Sequence, residues 1–97
     1  MYLKYERMAD DRLAAWLSGD ASRFRDLYAL IVDQLGAVVV EELIDVEQSY
    51  VDVRLNGDLI TLHSEAQVGV AVMATSTDTE ATAREVAEKV AAAWSAH

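Results

Sequence analysis

His63 is the residue around which spacing gathers the most chemistry. If residues 50–55 and 58–63 pair across a two-residue turn at Asn56-Gly57, Tyr50 falls directly opposite His63. Asp52 then lies two residues along the same face, and Asp45 stands opposite Tyr50 on the next strand out. A carboxylate near an imidazole raises its pKa and fixes its tautomer, as general acid–base work requires. A catalytic site also needs a concave surround, and a sheet face alone supplies none. The plainer reading is a histidine in a polar cross-strand ladder.

A serine nucleophile fits poorly beside it. Ser64 is adjacent to His63, so in a strand it points to the other face, and Ser49 has the same wrong parity. Metal ligation is better placed, because His63 and Glu65 are two apart and share a face, with Asp52 close by. A divalent metal asks for three or four such ligands, and the other histidine, His97, is the last residue. The chain has no cysteine, which excludes disulfide scaffolds, zinc ribbons and thiol chemistry. No glycine-rich phosphate loop occurs. The expectation is no catalytic set, no metal and no cofactor, with an enzyme using His63 as the least favoured alternative.

The elements that would position His63 come from periodicity. Residues 2–18 carry Tyr5, Ala9, Leu13, Trp16 and Leu17 at helical spacing, with Gly19 placed to end a helix. Asp20 can cap a second helix that presents Phe24, Leu27, Tyr28, Ile31 and Leu35 and stops at Gly36. The period then changes to two. Val38, Val40, Ile44 and Val46 alternate with Val39, Glu41, Leu43 and Asp45, and a turn at Glu47-Gln48 would oppose Ile44 to Val51 and Glu41 to Arg54. Asn56-Gly57 is the strongest short hairpin signal, since a type I′ turn needs positive φ at both central residues. It pairs Leu55 with Asp58, Val53 with Ile60 and Val51 with Leu62, apolar against apolar. Val68, Val70 and Val72 make a fourth strand, joined by an odd-length loop that sets Leu62 opposite Val68. Thr77 and Glu80 match a capping box ahead of a last helix with Ala83, Val86, Ala87, Val90, Ala91 and Trp94 on one side. Trp16 and Trp94 each end a helical stripe and are expected at one end of the core.

Short loops between strands require antiparallel pairing. At 97 residues one core is all the chain can support. The predicted fold is a single two-layer α+β domain over residues 1–97: helix, helix, four-stranded antiparallel meander, helix, with the helices on one sheet face. The other face would hold Val39, Leu43, Leu59, Ala71 and Met73 among Glu41, Asp45, Asp52, Arg54 and His63. That mixture suits a contact surface. The candidate partner-binding set is therefore Val39, Glu41, Leu43, Asp45, Tyr50, Asp52, Arg54, Leu59, His63 and Met73.

Charge sharpens this picture. The formal net charge is −9, which argues against binding nucleic acid. Between Arg25 and Arg54 lie seven acidic residues and no basic one. An acidic patch of this kind can steer a basic partner. The longest uncharged stretch, residues 66–77, is 12 long, too short for a membrane span of about 20. No secretory leader pattern opens the sequence, so a soluble, cytoplasmic chain is expected. Abundant alanine and an excess of arginine over lysine suit a GC-rich bacterial source. The functional expectation is an acidic protein-binding or accessory domain without catalysis, working through an open sheet face as a homodimer. The alternative is an acidic immunity- or antitoxin-type inhibitor of a basic enzyme.

Overall fold

The expected N-terminal helix is a β-hairpin. In the computed structural model, which describes residues 3–95, β1 (Lys4–Arg7) pairs antiparallel with β2 (Leu13–Ser18). The physical reason is that β2 is buried on both faces. Leu13, Ala15 and Leu17 enter the main core, while Ala14 and Trp16 pack on the opposite side. A strand covered on both sides loses its period-two signature and reads as a continuous apolar run. The hairpin turns at Met8–Asp11, where Asp11 takes a positive φ of 67° and the Asp10 carboxylate accepts from the Arg12 N–H at 3.1 Å. Gly19 ends no helix and has no left-handed φ.

Asp20 does cap the next segment. Its side chain accepts from the Ser22 backbone N–H at 3.0 Å and opens a helical stretch. That stretch is a 3-10 turn (Ala21–Arg23), then α1 (Phe24–Ala29), then one wide turn (Leu30–Gln34). Leu27, Leu30 and Ile31 are buried, and Phe24, Tyr28 and Leu35 lean on the core. Gly36 closes the segment with φ 77°, a conformation cheap for glycine alone.

Four strands then run β3 (Val38–Ile44), β4 (Gln48–Leu55), β5 (Asp58–Glu65) and β6 (Gly69–Ala74). With the N-terminal hairpin they form one six-stranded antiparallel sheet, ordered β1-β2-β6-β5-β4-β3. The β4–β5 register agrees with expectation at every pair, from Leu55 opposite Asp58 to Tyr50 opposite His63. Asn56 and Gly57 both have positive φ there, at 53° and 84°.

Two registers differ. A bulge between Val39 and Glu41 leaves Val40 without a partner, so Val39 faces Val53, Glu41 faces Asp52 and Ile44 faces Ser49. Val39 therefore lies on the helix-bearing face against the core, not on the open face. Asp45 falls beyond the strand, and Leu43 takes its place opposite Tyr50. At the other hairpin the loop has the expected odd length but sits at residues 66–68, so Leu62 meets Val72 and Val68 is left exposed. Gly69 sets this position. A Cβ there would stand 1.9 Å from the Ser18 carbonyl oxygen, so only glycine lets β6 reach β2.

The last helix, α2 (Glu80–Ser95), comes after a 3-10 turn at Thr77–Thr79. Its capping box is Ser76 with Thr79, one residue ahead of the expected Thr77 and Glu80. Ala83, Val86, Ala87, Val90 and Ala91 join Leu27, Ile31 and the sheet residues Val51, Val53, Ile60, Leu62, Val70 and Val72 in one core. Trp94 leans on this core beneath the Arg23 guanidinium, 3.9 Å from its ring centre. Trp16 belongs to a separate cluster with Ala14, Ala71 and Met73, so the two tryptophans do not share one end of the core. His97 lies outside the described residues. Among those described, no helix is long and apolar enough to cross a membrane.

Candidate functional site

The sheet face away from the helices is ordered in cross-strand rows. One row runs Lys4, Trp16, Ala71, His63, Tyr50 and Leu43 from β1 to β3. The next runs Glu6, Ala14, Met73, Thr61, Asp52 and Glu41. Small Ala71 between Trp16 and His63 lets their rings meet edge to face, with centroids 5.8 Å apart. His63 then stacks on Tyr50 at 4.4 Å and 21°. Apolar and aromatic area is thus closed off within the chain. Trp16 is 5% exposed, Met73 4% and His63 2%, which removes much of the expected contact face from solvent.

His63 is hydrogen-bonded at one ring nitrogen and has an acid near the other. Its Nδ1–H donates to the Ser49 carbonyl at 3.1 Å, since a carbonyl can only accept. This leaves Nε2 facing the Glu65 carboxylate at 3.8 Å. A hollow of about 340 Å³ lies over this edge, lined by Met8, Asp10, Arg12, Gln48, Tyr50 and Glu65 among others. The side chains of Ser49 and Ser64 point to the opposite face, and the Ser49 hydroxyl is bonded to the Asp45 backbone. Among the described residues no group of three or more His, Asp or Glu side chains gathers to hold a metal.

Helical periodicity hides Arg12, which in the strand hairpin becomes a residue of the open face. It donates from Nε to the Ala74 carbonyl at 2.8 Å and from Nη2 to the Thr61 hydroxyl at 2.7 Å. Thr61 donates in turn to the Asp52 carboxylate at 2.6 Å. Asp52 is therefore tied into a structural relay rather than into the His63 environment.

The remaining candidates gather toward β3. Glu41 and Leu43 are exposed on the open face, and Leu59 is half-buried beside Arg54. Arg54 reaches the Gly57 carbonyl at 3.4 Å. Asp45 sits in the β3–β4 turn, where its carboxylate accepts from the Val46 N–H at 2.6 Å. Period-two alternation sets Val38, Val40, Ile44 and Val46 on the face opposite Leu43, yet none of the four is covered. They are 65%, 52%, 59% and 93% exposed. The bulge at Val40 and the sheet-end position of β3 leave them uncovered. The only advance signal was their density beside a run of acids.

A groove of about 820 Å³ runs along this end, between α1 and the end of β3. Phe24, Tyr28, Ala29 and Ile44 supply apolar walls, and Asp26, Asp33 and Arg25 supply charge. The Tyr28 hydroxyl donates to the Glu42 carboxylate, bridging helix and strand. That bond, with some burial and the charge of Glu42 itself, pushes the phenol above its ordinary range. No protein-family model, curated protein or solved structure matches the chain.

Proposed function

We propose that this chain is a protein-binding domain, not a catalyst, and that its working surface is the β3 end of the sheet. The observation that carries this reading is the exposure of β3 itself. Val38, Leu43 and Ile44 are 65%, 63% and 59% exposed on a strand that, among the described residues, pairs on one side only. Long, apolar edge strands are normally blunted or covered, because they template pairing with another chain. The apolar groove beside Ile44 extends the same surface onto α1. The aromatic row around Trp16 and His63 is already packed within the chain, so it offers less contact area than the sequence implied.

Two occupants satisfy such a surface. A second copy would make a homodimer, and a basic protein would fit the acids of the β3–β4 hairpin, as an inhibitor of a basic enzyme would. The experiment compares the purified chain with Leu43→Glu and Ile44→Glu variants whose circular dichroism is unchanged. Light scattering at high concentration and affinity capture from the native host are read together. Loss of a dimer or of a captured protein in both variants is the expected result. A chain that stays monomeric and captures the same proteins after both changes overturns the reading.

A further inference from the structure

The charge pattern of β3 selects between those occupants. β3 spans Val38–Ile44, so its midpoint is Glu41. Full-length antiparallel pairing of two copies about a two-fold axis sets residue 41 against residue 41, 40 against 42 and 39 against 43. That register places Glu41 directly opposite its own copy, with both Glu42 side chains one step away. Like charges directly opposite across strands are destabilising. The strand is thus apolar enough to be paired and charged in a way that opposes pairing with itself.

We infer that the β3 edge accepts an extended segment of a different protein, in which lysine or arginine alternates with apolar residues. This rests on the protein-binding reading above and names its partner chemistry. An added strand continues both faces of the sheet. On the open face it meets Glu41 and Leu43, and on the helix face Glu42 and Ile44. A basic side chain opposite Glu41 forms an ion pair where a copy would repel, and Glu42, which already accepts from the Tyr28 hydroxyl, adds charge of the same sign. An apolar side chain beside Ile44 enters the groove against Phe24 and Tyr28. Asp26 and Asp33 reinforce the same sign along the groove, although Asp26 is shared with Arg23 at 3.5 Å. Arg25 in the groove and Arg54 beside Val38 are the bases flanking this edge, so the preferred partner places its cations near the strand centre.

The test is a titration of the isotope-labelled full chain with a short synthetic peptide of alternating Lys and Val, monitored by NMR. Peptides of alternating Glu and Val and of alternating Lys and Gly serve as comparisons. The expected result is backbone shifts confined to β3 and α1 with the Lys–Val peptide, and none with the Glu–Val peptide. Affinity should fall by about tenfold or more between low and high salt. A Glu41→Lys, Glu42→Lys double variant should lose the Lys–Val peptide and gain the Glu–Val one. Equal binding of the Lys–Gly peptide reduces the effect to charge alone and overturns strand addition. No binding of the Lys–Val peptide also overturns it. In that case a dimer broken by Leu43→Glu retains the protein-binding reading with a second copy as occupant, and a clean monomer with no captured protein removes both.

Discussion

His63 and Tyr50 face each other across β4 and β5 with their rings stacked 4.4 Å apart. Trp16 closes the other side of the imidazole edge-on, at 5.8 Å. This three-ring row crosses the sheet from β2 to β4 and does, on the helix-free face, what aliphatic packing does on the other. Its members should therefore behave as core residues. Trp16→Ala is expected to cost about 3–5 kcal/mol. The indole Nε1–H is buried and finds no acceptor among the described residues, so the large ring is kept for its area and not for a hydrogen bond. Trp16→Phe loses part of that area but also removes the stranded donor, so it should cost clearly less than Trp16→Ala. Urea denaturation of both variants checks the pair. Equal losses would mean that the N–H has a partner after all.

At Gly69 the start of β6 passes close against the backbone at the end of β2. Its φ of 137° and the 1.9 Å that would separate a Cβ from the Ser18 carbonyl oxygen leave no room for a side chain. The obstacle is backbone, which cannot rotate away. Gly69→Ala should cost more than about 2 kcal/mol, through forced separation of β2 from β6 and a strained φ. Gly57→Ala offers the contrast, because nothing lies within 4 Å of its Cβ position and only its φ of 84° opposes the change. Thermal melts of the two variants should rank Gly69→Ala well below Gly57→Ala.

What could be read in advance depended on how many sheet faces a strand shows to water. β4 and β5 alternate cleanly around Asn56-Gly57, and their register was legible to the residue. α2 was legible for the same reason, since one stripe faces the core and most of the rest is polar. β2 was not, because Ala14 and Trp16 are as buried as Leu13 and Leu17, and leucine, alanine and tryptophan at that spacing also suit a helix. β3 failed differently. A one-residue bulge reverses the faces of everything on one side of it, so Val39 went inward and Val38 outward. The His63–Tyr50 neighbourhood was legible because it depends only on the tight hairpin. The groove beside Ile44 was not, since it needs the packing of α1 on a strand end.

Arg12, Thr61 and Asp52 form a relay that fixes the N-terminal hairpin to the sheet centre. The Arg12 guanidinium donates to Thr61, and Thr61 donates to Asp52. Thr61 is 2% exposed, so a valine there would strand the Arg12 donor and the Asp52 acceptor together. Thr61→Val should cost about 1–3 kcal/mol. The combination with Arg12→Met should cost less than the sum of the two, by roughly 0.5–3 kcal/mol, because the second change removes the donor left unpaired by the first. A double-mutant cycle by chemical denaturation measures this. Strict additivity would show that the three groups act independently.

Arg7 and Glu80 join the end of β1 to the first turn of α2 at 2.6 Å. The hydrogen bond from Arg7, with its charge, holds the Glu80 carboxyl below the ordinary value of 4.5. The Ser22 hydroxyl and N–H hold the Asp20 carboxyl low in the same way. A carboxyl whose pKa is depressed on folding binds fewer protons in the native state than in the unfolded one. Its contribution to stability is then complete above the unfolded pKa and is lost as pH falls through the lower folded value. Glu80→Gln should accordingly be less stable than the parent at neutral pH. The gap should narrow through the carboxylate range and close at the acid end, where the parent's Glu80 is protonated too. Because the pair is partly exposed, high salt should shrink the neutral-pH gap. Urea denaturation across a pH series, in low and high salt, reads both effects. A gap that is constant with pH would assign the loss to helix capping or packing, and not to the charge that Arg7 recognises.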